Sequence, residues 1–223
     1  MYRRQTLGAA GAGALGLTAG CLDLILGEES TFEATEARVE EDVADEQGYS
    51  HVETHEVGES EEFAGHRVEV TNYAAEYERA LSPEGMEDVA DVSAETAAFG
   101  IFTSPEVSVA GRDFNPLDDM STREIAEHVQ DEYDDLEIGD EPVADRTVDS
   151  LGESVDIDTY EGSASAEGQE MDVYIDVGQF RHGDDHVVVT AVYPDTSIEE
   201  LGFSPDSERD RITALVEAIE HDG

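Results

Sequence analysis

Two histidines and two aspartates lie within five consecutive residues of this chain, His182-Gly183-Asp184-Asp185-His186. Imidazole and carboxylate groups bind transition metals, but closed metal sites usually need three or four ligands that converge on one point. Glycine and aspartate are also common turn formers, and the segment falls where the strand pattern needs a turn. We therefore predict a β-hairpin turn and no metal site. If an ion did bind here, its ligands would be His182, Asp184, Asp185 and His186.

Two other groups of polar residues could bind an ion. His51 and His55 lie in a segment with strand character, where their spacing separates them by roughly 13 Å, too far to share a metal. Asn115, Asp118 and Asp119 precede a predicted helix and could hold a hydrated cation such as calcium. Two acidic residues before a helix are explained more simply by the helix dipole. Calcium at residues 115–119 is therefore the alternative to a plain helix entry.

The motifs of common nucleophilic and metal-dependent enzymes are absent from the sequence. The chain has no Gly-x-Ser-x-Gly turn, no phosphate-binding loop and no His-Glu-x-x-His motif. Paired carboxylates carry little information, because Asp and Glu make up 57 of the 223 residues. We predict no catalytic residue, and the sequence favours a protein that is not an enzyme.

Cys21 is the only cysteine, so it cannot form an internal disulfide. It ends the segment Leu17-Thr18-Ala19-Gly20-Cys21, which resembles the bacterial and archaeal lipobox. The resemblance implies that Cys21 becomes the mature N-terminus and carries a thioether-linked lipid, and we predict no other cofactor. The alternative is a buried apolar cysteine in an N-terminal helix.

Residues 1–20 have the architecture of an export signal. Arg3 and Arg4 are followed by Leu7 and by an apolar run over residues 7–19, which is shorter than the about 20 residues that span a bilayer. The run is rich in glycine and only mildly hydrophobic, and with the paired arginines it resembles twin-arginine signals. Thr6 departs from that pattern, where a bulky apolar residue is usual. We divide the chain into a signal at 1–20, a lipidated tether at 21–30 and one domain at 31–223.

The charge balance indicates the solvent in which this protein works. The net charge is −46, and all 11 basic residues are arginines. Such a charge destabilises a compact state at ordinary ionic strength, but molar salt shortens the screening length to about 3 Å. Acid excess without lysine resembles the proteins of halophilic archaea. The scattered arginines exclude a basic surface for nucleic acid, while an acidic disordered chain is the alternative.

Alternating and helical patterns argue against disorder and define the predicted elements. A short helix is expected to end at Gly48 in the left-handed conformation, and Ser121 with Glu124 forms a capping box for a second. A third helix begins near Pro205. A strand is predicted at 170–181, where Met171, Val173, Ile175 and Val177 alternate with polar residues and give the strand one wet face. Other strands are predicted at 49–59, 67–77, 97–103, 107–114, 143–148, 154–162 and 186–193.

These elements predict an α+β domain in which helices cover an antiparallel sheet. Their order resembles the Mog1/PsbP type of sandwich. The lipobox, the entry from Phe114-Asn115-Pro116 to Met120-Ser121, and the hairpin from Arg181 to Val192-Tyr193-Pro194 together resemble a family of haloarchaeal lipoproteins of unknown function. That resemblance spans nearly the whole chain and implies no activity.

Three classes of function remain open from the sequence. The first is a lipoprotein anchored to the extracytoplasmic face of the cell membrane, which serves as an accessory or binding module for an envelope protein or a small ligand. The second is an extracytoplasmic enzyme whose site is assembled from scattered residues. The third is a structural protein of the cell envelope, which would expose an apolar patch for self-association.

Overall fold

The computed structural model describes residues 30–63, 66–80, 96–109, 112–113, 117, 120–132, 136–166, 169–197 and 203–222. The predicted signal and lipidation residues Arg3, Arg4, Leu7 and Cys21 lie outside the described residues. So do Asn115, Asp118 and Asp119 of the proposed calcium alternative.

The described residues form thirteen strands and three helices. The helices are α1 (Glu41–Gln47), α2 (Thr122–Glu132) and α3 (Pro205–Glu217). The first strands are β1 (Ser30–Glu33), β2 (Ala37–Val39), β3 (Ser50–Phe63), β4 (His66–Ala80), β5 (Thr96–Pro105), β6 (Ser108–Val109) and β7 (Arg112–Asp113). The remaining strands are β8 (Leu136–Ile138), β9 (Ala144–Ser150), β10 (Glu153–Ala166), β11 (Gln169–His182), β12 (Asp185–Pro194) and β13 (Ile219–His221).

A nine-stranded mixed sheet organises the described part of the chain. Its strands follow the order β1-β4-β5-β12-β11-β10-β8, with β3 also paired to β4 and β9 also paired to β10. β1 runs parallel to β4, and the other pairings in this sheet are antiparallel. β3 pairs along nearly all of β4, so β1 and β5 share the opposite side, with β1 beside residues 68–71 and β5 beside residues 73–80.

The predicted α+β class is wrong, and so is the helix-covered sandwich. Among the described residues, strands far outnumber helices, with thirteen strands and only three helices. The predicted strand cores were mostly in place, but β3, β4, β10 and β11 each reach 14 or 15 residues. Cross-strand hydrogen bonds extend them into polar segments that carry no apolar alternation, because backbone pairing does not depend on side-chain type.

Each face of the sheet packs against different elements. On one face, Phe99, Val187, Val189 and Tyr193 lie in a core shared with residues of β2, β13, α1 and α3. On the other face, residues of β10, β11 and β12 pack against α2 through a core that includes Ile125, Ala126, Tyr160, Ile175 and Val188. β12 is therefore buried on both faces, as a central strand of a large sheet must be.

Local signals at the helix ends are confirmed. Gly48 ends α1 with a φ of 78°, in the left-handed conformation. At the start of α2, the backbone N–H of Ser121 donates to Glu124 over 2.8 Å, and the Ser121 hydroxyl accepts from the Glu124 N–H over 3.3 Å. The backbone N–H of Ser121 is the main cause that lowers the pKa of the Glu124 carboxyl, and the Ser121 hydroxyl, which donates to the same carboxylate over 2.8 Å, adds to it. The capping box thus fixes the residue at which α2 begins.

Candidate functional site

The segment His182–His186 forms the predicted hairpin turn between β11 and β12. Gly183 has a φ of 61°, a conformation that favours glycine. His182 pairs with Asp185, while Arg181 pairs with His186. Since neighbouring residues of a strand point to opposite faces, Asp185 and His186 lie on opposite sides of the sheet. The four metal candidates therefore do not converge, and the described ranges hold no group of three or more His, Cys, Asp or Glu residues suited to a metal.

Asp185 instead joins three distant segments of the chain. Its carboxylate is buried, and its Oδ2 atom accepts from the backbone N–H of Thr35 over 2.7 Å. The same oxygen lies 3.0 Å from Nε2 of His221, whose side chain is fully buried. The ring of His182 packs edge-on against that of His221, with 5.2 Å between centroids. We call Thr35, His182, Asp185 and His221 the Asp185 clasp.

In the Asp185 clasp, the carboxylate of Asp185 orients the ring of His221. A carboxylate that accepts from one ring nitrogen fixes the orientation and tautomer of an imidazole. His221 cannot meet a substrate, because its side chain has no exposure. His182 is partly exposed and is the member of the clasp that solvent can reach. The arrangement therefore stabilises the fold and leaves one histidine at the surface.

His186 lies on the opposite face and helps to attach α2. Its Nε2 atom is 2.9 Å from Oε1 of Gln179, and the amide nitrogen of Gln179 donates to the carbonyl of Met120 over 2.6 Å. Met120 immediately precedes the α2 capping box. His186 thus orients a side chain that connects β11 to the start of a helix.

A second buried carboxylate lies in the middle of β11. Asp176 accepts from Nη2 of Arg146 over 2.7 Å and from the hydroxyl of Thr159 over 2.6 Å. The Tyr193 hydroxyl lies 3.3 Å from the same carboxylate. Burial, together with the nearby charge of Asp176, raises the pKa of Tyr193. The predicted wet face of residues 170–177 is therefore wrong at Asp176, which is only 2% exposed.

A third buried carboxylate, Glu208, connects α3 to the start of β3 and the end of β4. It has no exposure, and it accepts from the hydroxyl of Tyr49 over 2.8 Å. Nη1 of Arg79 lies 2.9 Å from its other oxygen, and Nε of Arg211 lies 3.9 Å away. Burial is the main cause that raises the pKa of the Tyr49 hydroxyl, and the charge of Glu208 adds to it.

We call Asp176 with Arg146 and Glu208 with Arg79 the two arginine clusters, and both join α3 to the sheet. Arg146 donates to the hydroxyl of Thr213 over 3.3 Å, and Glu208 is itself a residue of α3. A buried carboxylate needs a cation and hydrogen bonds to offset its lost hydration, and Arg146 and Arg79 provide the cations. Sequence reasoning missed these clusters, the partner histidine His221 and the partner N–H of Thr35. The one sequence signal for the burial of Asp176 is its position between apolar β-forming residues, which indicates a strand inside the sheet.

The fold and these sites define a β-rich domain in which three buried carboxylates connect helices and terminal strands to one large sheet. A family model described as "Domain of unknown function (DUF6517)" matches residues 36–220. The chain therefore belongs to that family. No curated protein matches the sequence. Among the described residues, no helix is both long enough and apolar enough to cross a membrane.

Proposed function

We propose that this protein is a lipid-anchored module on the extracytoplasmic face of the cell membrane of a halophilic archaeon. The observation that carries the proposal is the position of Cys21. It follows small residues of lipobox type and precedes Ser30, the first residue of β1, by nine residues. A lipid on Cys21 would therefore lie within roughly 30 Å of a strand that belongs to the central sheet.

The acidic composition supports the halophilic part of the proposal. The chain has no lysine, and its arginines include the partners of the buried carboxylates Asp176 and Glu208. Arginine suits such positions because its planar guanidinium can form several hydrogen bonds and is only weakly hydrated. Most of the acidic side chains then lie on the surface, where they hold water and cations at high salt.

Within this setting the protein acts as an accessory or binding module for an envelope protein or a small ligand. Buried polar side chains contact one another in the Asp185 clasp and in the two arginine clusters. Contacts of this kind between distant segments suit a rigid domain that presents its surface to a partner.

The test of the anchor compares Cys21→Ser with the natural protein in a halophilic host. We expect natural protein in the membrane fraction, with a lipid mass on its N-terminal cysteine, and the variant in the soluble or secreted fraction. Replacing Arg3 and Arg4 by lysine should leave precursor inside the cell, because the twin-arginine route requires the pair. An unmodified Cys21 or normal export of the lysine variant would contradict these assignments.

An extracytoplasmic enzyme is the second candidate, and His182 is the observation that favours it. This partly exposed imidazole packs against a histidine whose partner is a buried carboxylate. In a strain that depends on the protein, His182→Ala should abolish the phenotype if His182 transfers protons. A folded His182→Ala protein that fully restores the phenotype would exclude a catalytic role for His182 and would favour the binding module.

A further inference from the structure

The first described strand lies at one end of the central sheet. Ser30 pairs with Val68, near the start of β4, and β4 then runs to Ala80. Successive antiparallel pairings bring the end of β5, the start of β12, the end of β11 and the start of β10 to the same end as Ser30. The turns at 151–152 and 183–184 lie there too. We call this the tether end, and the opposite end, with Ala80 and Gln169, the outer end.

The point at which the chain enters the domain is fixed by hydrogen bonds. The N–H of Ala34 donates to the carbonyl of Thr71 over 2.9 Å, directly after the parallel pairing of β1 with β4. The hydroxyl of Tyr73 donates to Glu33 over 2.8 Å. The N–H of Thr35 donates to Asp185 in the clasp. These bonds fix β1, so the chain enters the sheet at the tether end.

Lengths favour one orientation of the domain on its tether. The nine residues from Leu22 to Ser30 reach roughly 30 Å when fully extended. From the level of Val68 to Ala80, β4 extends about 40 Å at the rise of an antiparallel strand. The tether end therefore stays within reach of the lipid surface, whereas the outer end reaches it only if the whole domain turns over.

Two exposed arginines also lie at the tether end. Arg67 and Arg181, both at the tether end, have side chains 60% and 51% exposed. Each lies beside a surface carboxylate, at 3.2 Å for Arg67 and Glu69 and at 3.4 Å for Arg181 and Glu106. Ion pairs on the surface are weak, so phosphate groups can compete for these guanidiniums. Among the arginines whose side chains the structure describes, Arg38 has similar exposure, 58%, and it lies on β2, three residues after Thr35 of the clasp.

We propose that the tether end is a membrane-facing surface, which places Arg67 and Arg181 against the phosphate groups of anionic lipids. The proposal rests on the proposed lipid anchor at Cys21. It directs the outer end, away from the Asp185 clasp, toward the partners of the protein. The occupant of the tether end is thus the lipid surface and not a second protein.

The sequence allows a direct test, because it has one cysteine and no tryptophan. Protein that begins at Cys21 is coupled through its thiol to a maleimide lipid, in vesicles of phosphatidylcholine and phosphatidylglycerol in molar KCl. A single indole is introduced by Asp184→Trp at the tether end or by Glu170→Trp at the outer end, and both native side chains are exposed. The vesicles carry a spin label on the lipid headgroup, which quenches nearby indoles.

We expect the label to remove fluorescence from the Asp184→Trp protein and to leave the Glu170→Trp protein unchanged. Glu153→Trp, at the start of β10, and Glu161→Trp, eight residues further toward the outer end, provide a second pair. Equal quenching within both pairs, or stronger quenching at Glu170 and Glu161, would overturn the proposal. Circular dichroism of each variant confirms that the protein is folded.

A further variant separates the role of the arginines from that of the tether. Arg67→Gln with Arg181→Gln, in the Asp184→Trp background, should reduce quenching in vesicles that contain phosphatidylglycerol. Unchanged quenching would remove lipid phosphate from the proposal. Because maleimide supplies the anchor, these results do not depend on lipidation in the cell. Failure of the proposed function would appear separately, as an unmodified Cys21 in the host.

Discussion

At the scale of residues, three buried carboxylates differ from the many acidic side chains on the surface. Asp176 and Glu208 each have an arginine within 3 Å, whereas Asp185 has a histidine and a backbone N–H. Removing one member of a buried ion pair leaves the other charge without compensation. These residues should therefore matter to stability far more than any of the exposed acids.

Replacing Glu208 tests this expectation. Glu208→Gln keeps the size of the side chain but leaves Arg79 buried to 16% exposure without its anion. We expect the free energy of unfolding to fall by about 3–5 kcal/mol, measured by denaturant titration in molar KCl. The control is Glu217→Gln, on the exposed face of the same helix, which should change stability by no more than about 0.5 kcal/mol. Equal effects of the two substitutions would contradict the structural role of Glu208.

Two of the buried tyrosines, Tyr49 and Tyr193, predict a loss of stability at high pH. Burial raises the pKa of Tyr49 and of Tyr193 above that of an unfolded tyrosine, which is about 10. Above that pH the unfolded chain loses these protons while the folded protein keeps them. The free energy of unfolding should therefore be unaffected below about pH 10 and should fall above it, by up to about 1.4 kcal/mol per pH unit for each tyrosine.

Denaturant titrations on either side of about pH 10 measure this effect. The double variant Tyr49→Phe, Tyr193→Phe is the control, because it lacks both ionisable groups and should show a shallower decline. A natural protein whose stability does not change across this range would show that the two hydroxyls ionise as readily in the fold as in the unfolded chain.

At the scale of elements, local sequence signals were reliable where a few neighbouring residues decide the outcome. The Gly48 helix end, the Ser121 and Glu124 capping box and the β11–β12 turn are each set by contacts within about one turn of chain. Asp176 shows where such signals fail. An aspartate in an alternating strand reads as solvent-exposed, but Arg146 and Thr159 come from two other strands and make burial favourable.

At the scale of the whole molecule, the net charge of −46 predicts that the fold requires high salt. Repulsion among so many carboxylates extends about 30 Å at 0.01 M salt and about 3 Å at 1 M. We expect the domain to lose its circular dichroism signal as KCl falls from molar to tens of millimolar, and to regain it when salt is restored. A cooperative fold that persists at low salt would contradict the halophilic assignment.

The sequence alone determined the features that depend on composition and on local spacing. The acid excess, the absence of lysine, the single cysteine after small residues, the helix ends and most strand positions belong to this group. The lipid anchor and the export route remain predictions, since Arg3, Arg4 and Cys21 lie outside the described residues.

Only the tertiary structure decided the fold class, the partners of the buried carboxylates and the end of the sheet from which the tether departs. Each depends on contacts between residues far apart in sequence, such as Thr35 and Asp185, which are separated by 150 positions. Sequence periodicity cannot reveal such pairs, because a residue's own neighbours do not indicate which distant strand will lie beside it. In a mostly antiparallel sheet of nine strands, the order of the strands decides which side chains meet.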